Sequence, residues 1–175
     1  HECEYILSDS GATIAIVENP VQLEKLVAER DKLAGVKKVI LLDPTARLDK
    51  PDAKGRLEIR RADVLPEGDA WVWTLDELRE AGRARLGEQP AELTTRAAAT
   101  TPDSIFTIVY TSGTTGPPKG AVLTHRNLVW ETDAMRNALP LHEDDEQLLF
   151  LPLAHIFAKL LMWMSIAKGC RIAFA

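Results

Sequence analysis

Ile105-Phe106-Thr107-Ile108-Val109-Tyr110 and Ala121-Val122-Leu123 enclose the run Thr111-Ser112-Gly113-Thr114-Thr115-Gly116-Pro117-Pro118-Lys119-Gly120. The first stretch is β-branched and aromatic, which predicts a strand, and the last predicts its short partner. The ten residues between them hold four hydroxyls, three glycines and one lysine, with no acid. Glycines let backbone N–H groups approach a ligand closely, and successive N–H groups in a turn form an anion-binding nest. Hydroxyls donate to phosphate oxygens, and a lysine adds a point charge. The composition suits a polyphosphate, and it equally suits a flexible hairpin turn. Such a loop is expected to be poorly ordered over residues 111–120 when no nucleotide is bound.

Two better-known phosphate patterns fail. A Walker A loop needs G-x-x-x-x-G-K-[ST]. Counted from Gly113, the second glycine position holds Pro118, and Gly120 follows Lys119 where a hydroxyl is required. The G-x-G-x-x-G pattern is also absent. The order of residues carries more information than their composition. Residues 110–120, YTSGTTGPPKG, resemble the phosphate-loop signature of the adenylate-forming enzymes, a family that includes acyl-CoA synthetases, luciferases and the adenylation domains of peptide synthetases. Thr124-His125 follows at that family's usual distance. Residues 151–157, LPLAHIF, resemble its next motif and look closest to long-chain fatty acyl-CoA synthetases. The opening EYILSDSGATIAIV resembles a helix-strand unit of the family's large N-terminal domain.

Outward from the loop, strands and helices alternate. Residues 12–17 (ATIAIV) and 36–42 read as buried strands, with Gly11 stopping an opening helix. Asn19-Pro20 starts a helix with Leu23, Leu26, Val27 and Leu33 on one face. Residues 43–69 are polar and rich in Pro and Gly, and predict an irregular connection. Thr74-Leu75-Asp76-Glu77 is a capping-box start for a helix ending at Gly87. Residues 88–102 read as a Thr/Ala/Pro linker. Thr124 caps a helix with Leu128, Thr132, Met135 and Leu139 on its apolar face. Residues 148–153 then predict a strand and residues 155–168 a helix. The expected fold is α/β: part of the large N-terminal domain of an adenylate-forming enzyme, with a mostly parallel sheet flanked by helices and the glycine-rich phosphate loop between two antiparallel strands. Residues 1–100 are expected to hold the helix-strand units and the irregular connection, and residues 101–175 the phosphate-loop and acyl-pocket region of a partial AMP-binding domain. The family's C-terminal domain is absent from this reading.

Composition removes several classes. The 175 residues carry 21 Lys and Arg against 26 Asp and Glu, a net charge of −5. That disfavours nucleic-acid binding through a general basic surface. Arg56, Arg60 and Arg61 form a small basic cluster that reads as solvated. Cys3 and Cys170 cannot make a disulfide framework and match no zinc spacing, which points to a reducing, cytoplasmic setting. Residues 148–167 are mostly apolar but contain Pro152, His155 and Lys159, so they read as strand, loop and buried helix rather than a membrane span.

The resemblance implies a two-step chemistry, in which a fatty carboxylate attacks the α-phosphorus of ATP and coenzyme A thiolate then displaces AMP. It implies that Thr111, Ser112, Gly113, Thr114, Thr115, Gly116 and Lys119 hold ATP, that Thr111 is the protein ligand of Mg2+, and that Lys119 and His155 are catalytic. His155 matches the family residue beside the substrate carboxyl, although a lone histidine at a helix start is often structural. The helix after it, with Phe157, Leu160, Leu161, Met162, Trp163, Met164 and Ile166, is apolar nearly all round. It is either buried core or the wall of an acyl tunnel, with Lys159 on the same side as His155. The implied partners are fatty acid, ATP and coenzyme A, with peripheral membrane association open. By this reading the piece alone is inactive and the full-length protein is a long-chain-fatty-acid–CoA ligase. The alternatives are a fatty acyl-AMP ligase, a peptide-synthetase adenylation domain, or a nucleotide-binding module without turnover.

Overall fold

Two units divide the chain, His1–Arg96 and Ala97–Ala175, in a computed structural model that describes residues 2–111, 116–139 and 141–175. The first unit opens with α1 (Glu2–Asp9), β1 (Ile14–Val17), α2 (Pro20–Ala28), a single 3-10 turn and β2 (Lys38–Leu41). Gly11 takes φ 66°, a left-handed conformation that only glycine adopts without cost, and Ala12 N–H returns to the Leu7 carbonyl at 3.1 Å to close α1. The Asn19 side chain accepts from the Val21 and Gln22 N–H groups at 3.0 and 3.3 Å, so the predicted start of α2 is the observed one. Strands β1 and β2 run parallel, in register Ile14↔Lys38 to Val17↔Leu41, as a helical crossover requires.

The stretch at 43–69, expected to be irregular, holds β3 (Thr45–Arg47), β4 (Glu58–Arg60) and α3 (Arg61–Val64). The two strands pair antiparallel. Each carries one inward residue, Ala46 and Ile59, which is too few for alternation to be visible in the sequence. Their connection turns on Asp52, which accepts from Lys54 N–H, Arg56 N–H and Arg56 Nε at 2.7–2.9 Å. Arg56 also reaches Glu24 on α2 at 2.9 Å. Arg60 pairs with Glu58, and Arg61 donates to the Val72 carbonyl. Arg56 and Arg61 are therefore half-buried and tied into the fold, while Arg60, paired with Glu58, stays exposed as the sequence reading expected.

Strand β5 (Val72–Thr74) completes a parallel sheet in the order β1-β2-β5. Leu23, Leu26 and Leu33 pack with Ala15, Val17, Val39, Leu41 and Val72 in one core. Burial of each leucine is worth about 1.5–3 kcal/mol relative to exposure. Within this unit β1 is covered on one side only: Ala15 and Val17 are buried while Ile14 and Ile16 are exposed. The helix after β5, α4 (Leu75–Glu88), has the expected capping box, with Thr74 and Glu77 exchanging hydrogen bonds. The expected linker at 88–102 contains a further helix, α5 (Glu92–Ala98), whose Glu92 is gripped by Arg85 and Arg96.

The second unit contains β6 (Ile105–Thr111), β7 (Lys119–Thr124), α6 (His125–Ala138), β8 (Glu146–Leu149), α7 (Ile156–Lys168) and β9 (Arg171–Phe174). Strands β6 and β7 pair antiparallel, and Phe106 is the extra residue of a bulge between Ile105 and Thr107. Thr124 and Asn127 form a capping box at α6. The start of that helix is also pinned to the segment before β6, by Arg126 on Asp103 and by His125 N–H on the Ser104 carbonyl.

Strands β8 and β9 lie parallel with α7 between them. The strand expected over 148–153 is displaced to Glu146–Leu149. It ends where β9 ends, with Leu149 opposite Phe174, and the next residues turn toward Pro152. Buried Ser165 on α7 donates to Gln147 on β8 and to the Leu161 carbonyl. Among the described residues no helix is long and apolar enough to cross a membrane.

Candidate functional site

The β6–β7 ribbon holds two of the predicted phosphate-binding residues in register. Thr111 pairs with Lys119 on its last rung, and Tyr110 with Gly120 on the rung before. Thr111, Lys119 and Gly120 thus belong to the ladder, and the loop expected over residues 111–120 is shorter than that. Paired residues on an antiparallel ribbon point to the same face, so the Thr111 hydroxyl and the Lys119 ammonium project together beside the turn. Both residues are exposed. Among the described residues, no hydrogen bond or ion pair engages the Lys119 side chain. Gly116 has φ 103°. Ser112, Gly113, Thr114 and Thr115 lie outside the described residues.

Gly120 serves packing. A Cβ there would stand 2.9 Å from Ile108 Cγ2 and 3.1 Å from the Tyr110 ring. The last glycine of the motif therefore leaves room for Tyr110 and Ile108 to lie across the strand pair.

His155 is the N-cap of α7. Its Nδ1 accepts from the Phe157 N–H at 3.2 Å. In the neutral imidazole this assigns the proton to Nε2, which leaves an exposed donor beyond the helix end. The residue sits six positions past Leu149, on the turn after Pro152, rather than directly at the end of its strand.

Between α6 and α7 lies a cavity of about 540 Å3. Phe106, swung by its bulge, meets the His125 ring at 5.3 Å and the Trp163 ring at 5.5 Å, both edge to face. Phe106, Leu128, Leu160 and Trp163 supply apolar wall, and Arg126, Glu131 and Lys159 supply charge. The α7 side chains are thus neither all core nor all exposed: Ala158 and Met164 are buried, whereas Phe157 and Ile166 are exposed. Phe106 and Glu131 carry no periodic signal that could have singled them out, because the cavity arises from the way two helices pair.

Mg2+ binding can be tested against the donors present. Among the described residues no cluster of three His, Cys, Asp or Glu side chains could hold a metal ion. Thr111 offers a single hard oxygen, exposed on the face it shares with Lys119. That suits an ion held mainly by phosphate oxygens and water rather than by a protein cage.

The whole chain, residues 1–175, matches the family model described as AMP-binding enzyme, and the chain belongs to that family. Among curated relatives it is 32% identical over 172 residues to acyl-CoA ligase 891, peroxisomal, of Penicillium brevicompactum, covering 98% of this chain and 23% of that protein. It is 29% identical over 178 residues to the long-chain-fatty-acid–CoA ligase ACSBG2 of Xenopus laevis, covering 99% and 21%. It is 42% identical over 102 residues to the long-chain-fatty-acid–CoA ligase FadD15 of Mycobacterium tuberculosis, covering 57% and 16%. The chain spans under a quarter of the length of these relatives. Among solved structures, apo MatB from Rhodopseudomonas palustris superposes with a TM-score of 0.61 at 22% identity, over 100% of this chain and 28% of that one. The N-terminal domain of FACL13 from Mycobacterium tuberculosis gives 0.54 at 22%, over 93% and 37%. These likenesses show the α/β fold.

Proposed function

We propose that this chain carries the phosphate-binding hairpin and part of the acyl-binding wall of an ATP-dependent ligase that activates fatty acids. The observation that carries the reading is the pairing of Thr111 with Lys119 on one face of the ribbon, with no protein partner for the ammonium among the described residues.

The chemistry follows from what a carboxylate lacks. Its oxygen is a poor leaving group, so it must first be made into a mixed anhydride. A carboxylate oxygen attacks the α-phosphorus of ATP, the bond from that phosphorus to the bridging oxygen breaks, and pyrophosphate leaves with the electron pair. Lys119 would meet the charge that grows on the leaving group, and stabilisation of this kind is worth several kcal/mol in order of magnitude. The Thr111 hydroxyl would hold Mg2+, which when bound neutralises phosphate charge. Ser112, Thr114, Thr115 and the N–H groups of Gly113 and Gly116 would cradle the same phosphates. His155 directs its Nε2–H toward the carboxylate. The cavity between α6 and α7 takes the apolar tail, with Leu160 and Trp163 as wall. In the second step the thiolate of coenzyme A attacks the acyl carbon and AMP departs. Two free cysteines suit a reducing compartment, cytoplasmic or peroxisomal.

Pyrophosphate release by the full-length protein, across a panel of carboxylic acids with and without coenzyme A, tests this. Release that rises with acyl chain length, and thioester formed with coenzyme A, supports the ligase. Release without thioester supports transfer to a carrier protein. ATP binding without release for any acid leaves a nucleotide-binding module and overturns the proposal.

A further inference from the structure

We infer that Lys159 binds the substrate carboxylate at the mouth of the cavity between α6 and α7, before His155 receives it. The inference rests on the reading of that cavity as the acyl site. Two cations line the cavity, Arg126 and Lys159. Arg126 is engaged, with its guanidinium on both oxygens of Asp103 at 2.9 and 3.1 Å. Lys159 is half-buried, and among the described residues its ammonium meets no carboxylate and no carbonyl. A lysine in an apolar wall loses hydration and recovers it only with an anion or with water at the rim.

Glu131 sharpens the point. It lines the same cavity, also half-buried, yet no ion pair joins it to Lys159. One wall therefore presents a free cation and the facing helix a free anion. An anionic head is drawn to the α7 side of the cavity and repelled from Glu131 on the α6 side. Lys159 lies four positions after the N-cap His155, its N–H on the His155 carbonyl at 3.3 Å. Side chains on a helix lean toward its N-terminus, so a carboxylate held by Lys159 lies toward the His155 end of α7.

The test uses the full-length protein, with dodecanoate and dodecanol as probes. Calorimetry reads binding of each, and pyrophosphate release reads kcat and the KM values for dodecanoate and ATP. Lys159→Met is expected to weaken dodecanoate and raise its KM about tenfold, the size of a charge-assisted hydrogen bond. Dodecanol binding, kcat and the KM for ATP should stay as they are, and Lys159→Arg should restore most of the loss. Leu160→Trp, which fills the cavity, should weaken acid and alcohol alike. If Lys159→Met weakens both probes equally, or neither, the lysine merely lends its stem to the wall and the inference fails. If Leu160→Trp changes neither probe, the cavity is occupied by other parts of the polypeptide and the inference also fails. A wild-type protein that activates only short polar acids sinks the acyl reading itself, a result separate from any loss confined to Lys159→Met.

Discussion

In residues 1–96 charged side chains find each other: Arg30 meets Asp69 at 2.8 Å, Arg56 meets Glu24 at 2.9 Å and Asp52 at 2.7 Å, and Arg60 meets Glu58 at 2.7 Å. In residues 97–175 the ion pair among the described residues is Arg126 with Asp103, while Lys119, Lys159 and Glu131 are left without one. The apolar side is mixed in both units: Leu23, Val39 and Leu41 of the first are 0% exposed and Ile16 is 65% exposed, while Met164 of the second is 1% exposed and Trp130 70%. Charges satisfied inside the fold serve stability, and charges kept free beside a cavity or a turn are available to a ligand.

The largest expected effect tests the stability half of this contrast. Leu23→Ala should destabilise by about 2–5 kcal/mol, since the buried side chain leaves a cavity in a closed core. Urea denaturation of the full-length protein measures it, and a loss under 1 kcal/mol would show the core to be loosely packed. Lys119→Ala should do the reverse. Pyrophosphate release should fall by roughly 10²–10³-fold, with a stability change within about 0.5 kcal/mol. Unchanged release removes Lys119 from the mechanism.

His155→Ala should show both effects at moderate size. Loss of the cap on α7 is worth about 0.5–2 kcal/mol, and acyl-adenylate formation should drop at temperatures where the variant is fully folded. Normal turnover there would leave His155 as a cap alone. The smallest effect lies in acid. Hydrogen bonds from Arg85, and next from Arg96, hold the Glu92 carboxyl at about 2, against an ordinary 4.5. A carboxyl lowered on folding stabilises fully above its ordinary value, and that contribution fades as pH falls from 4.5 toward 2. A carbon-detected titration of Glu92 should show a midpoint near the lower value. Loss of helix signal in the same window should shrink in Glu92→Gln.

Legibility followed the range of the interactions. The caps at Asn19, Thr74 and Thr124, the stop at Gly11 and the strand pair around the glycine-rich turn were readable, because each depends on residues within a few positions of one another. The hairpin of β3 and β4 escaped notice: three-residue strands show no alternation, and their turn is held by Asp52 and by Glu24 from a distant helix. The strand before His155 was misplaced for a related reason. Its end is set by β9, more than twenty residues further on.

The candidate site divides along the same line. The residue types and order in YTSGTTGPPKG, and the place of His155 after LPLA, belong to the sequence by itself. So do the local hydrogen bonds that make His155 a cap and Gly11 a stop. Only the tertiary structure decided that Thr111 and Lys119 share a face, that Gly120 answers to Tyr110 and Ile108, and that Arg126 is engaged while Lys159 is free. The physical reason is that backbone propensity and capping act within a turn or two of chain. Whether a charge is paired or a side chain buried depends on what another element, folded from elsewhere, brings against it.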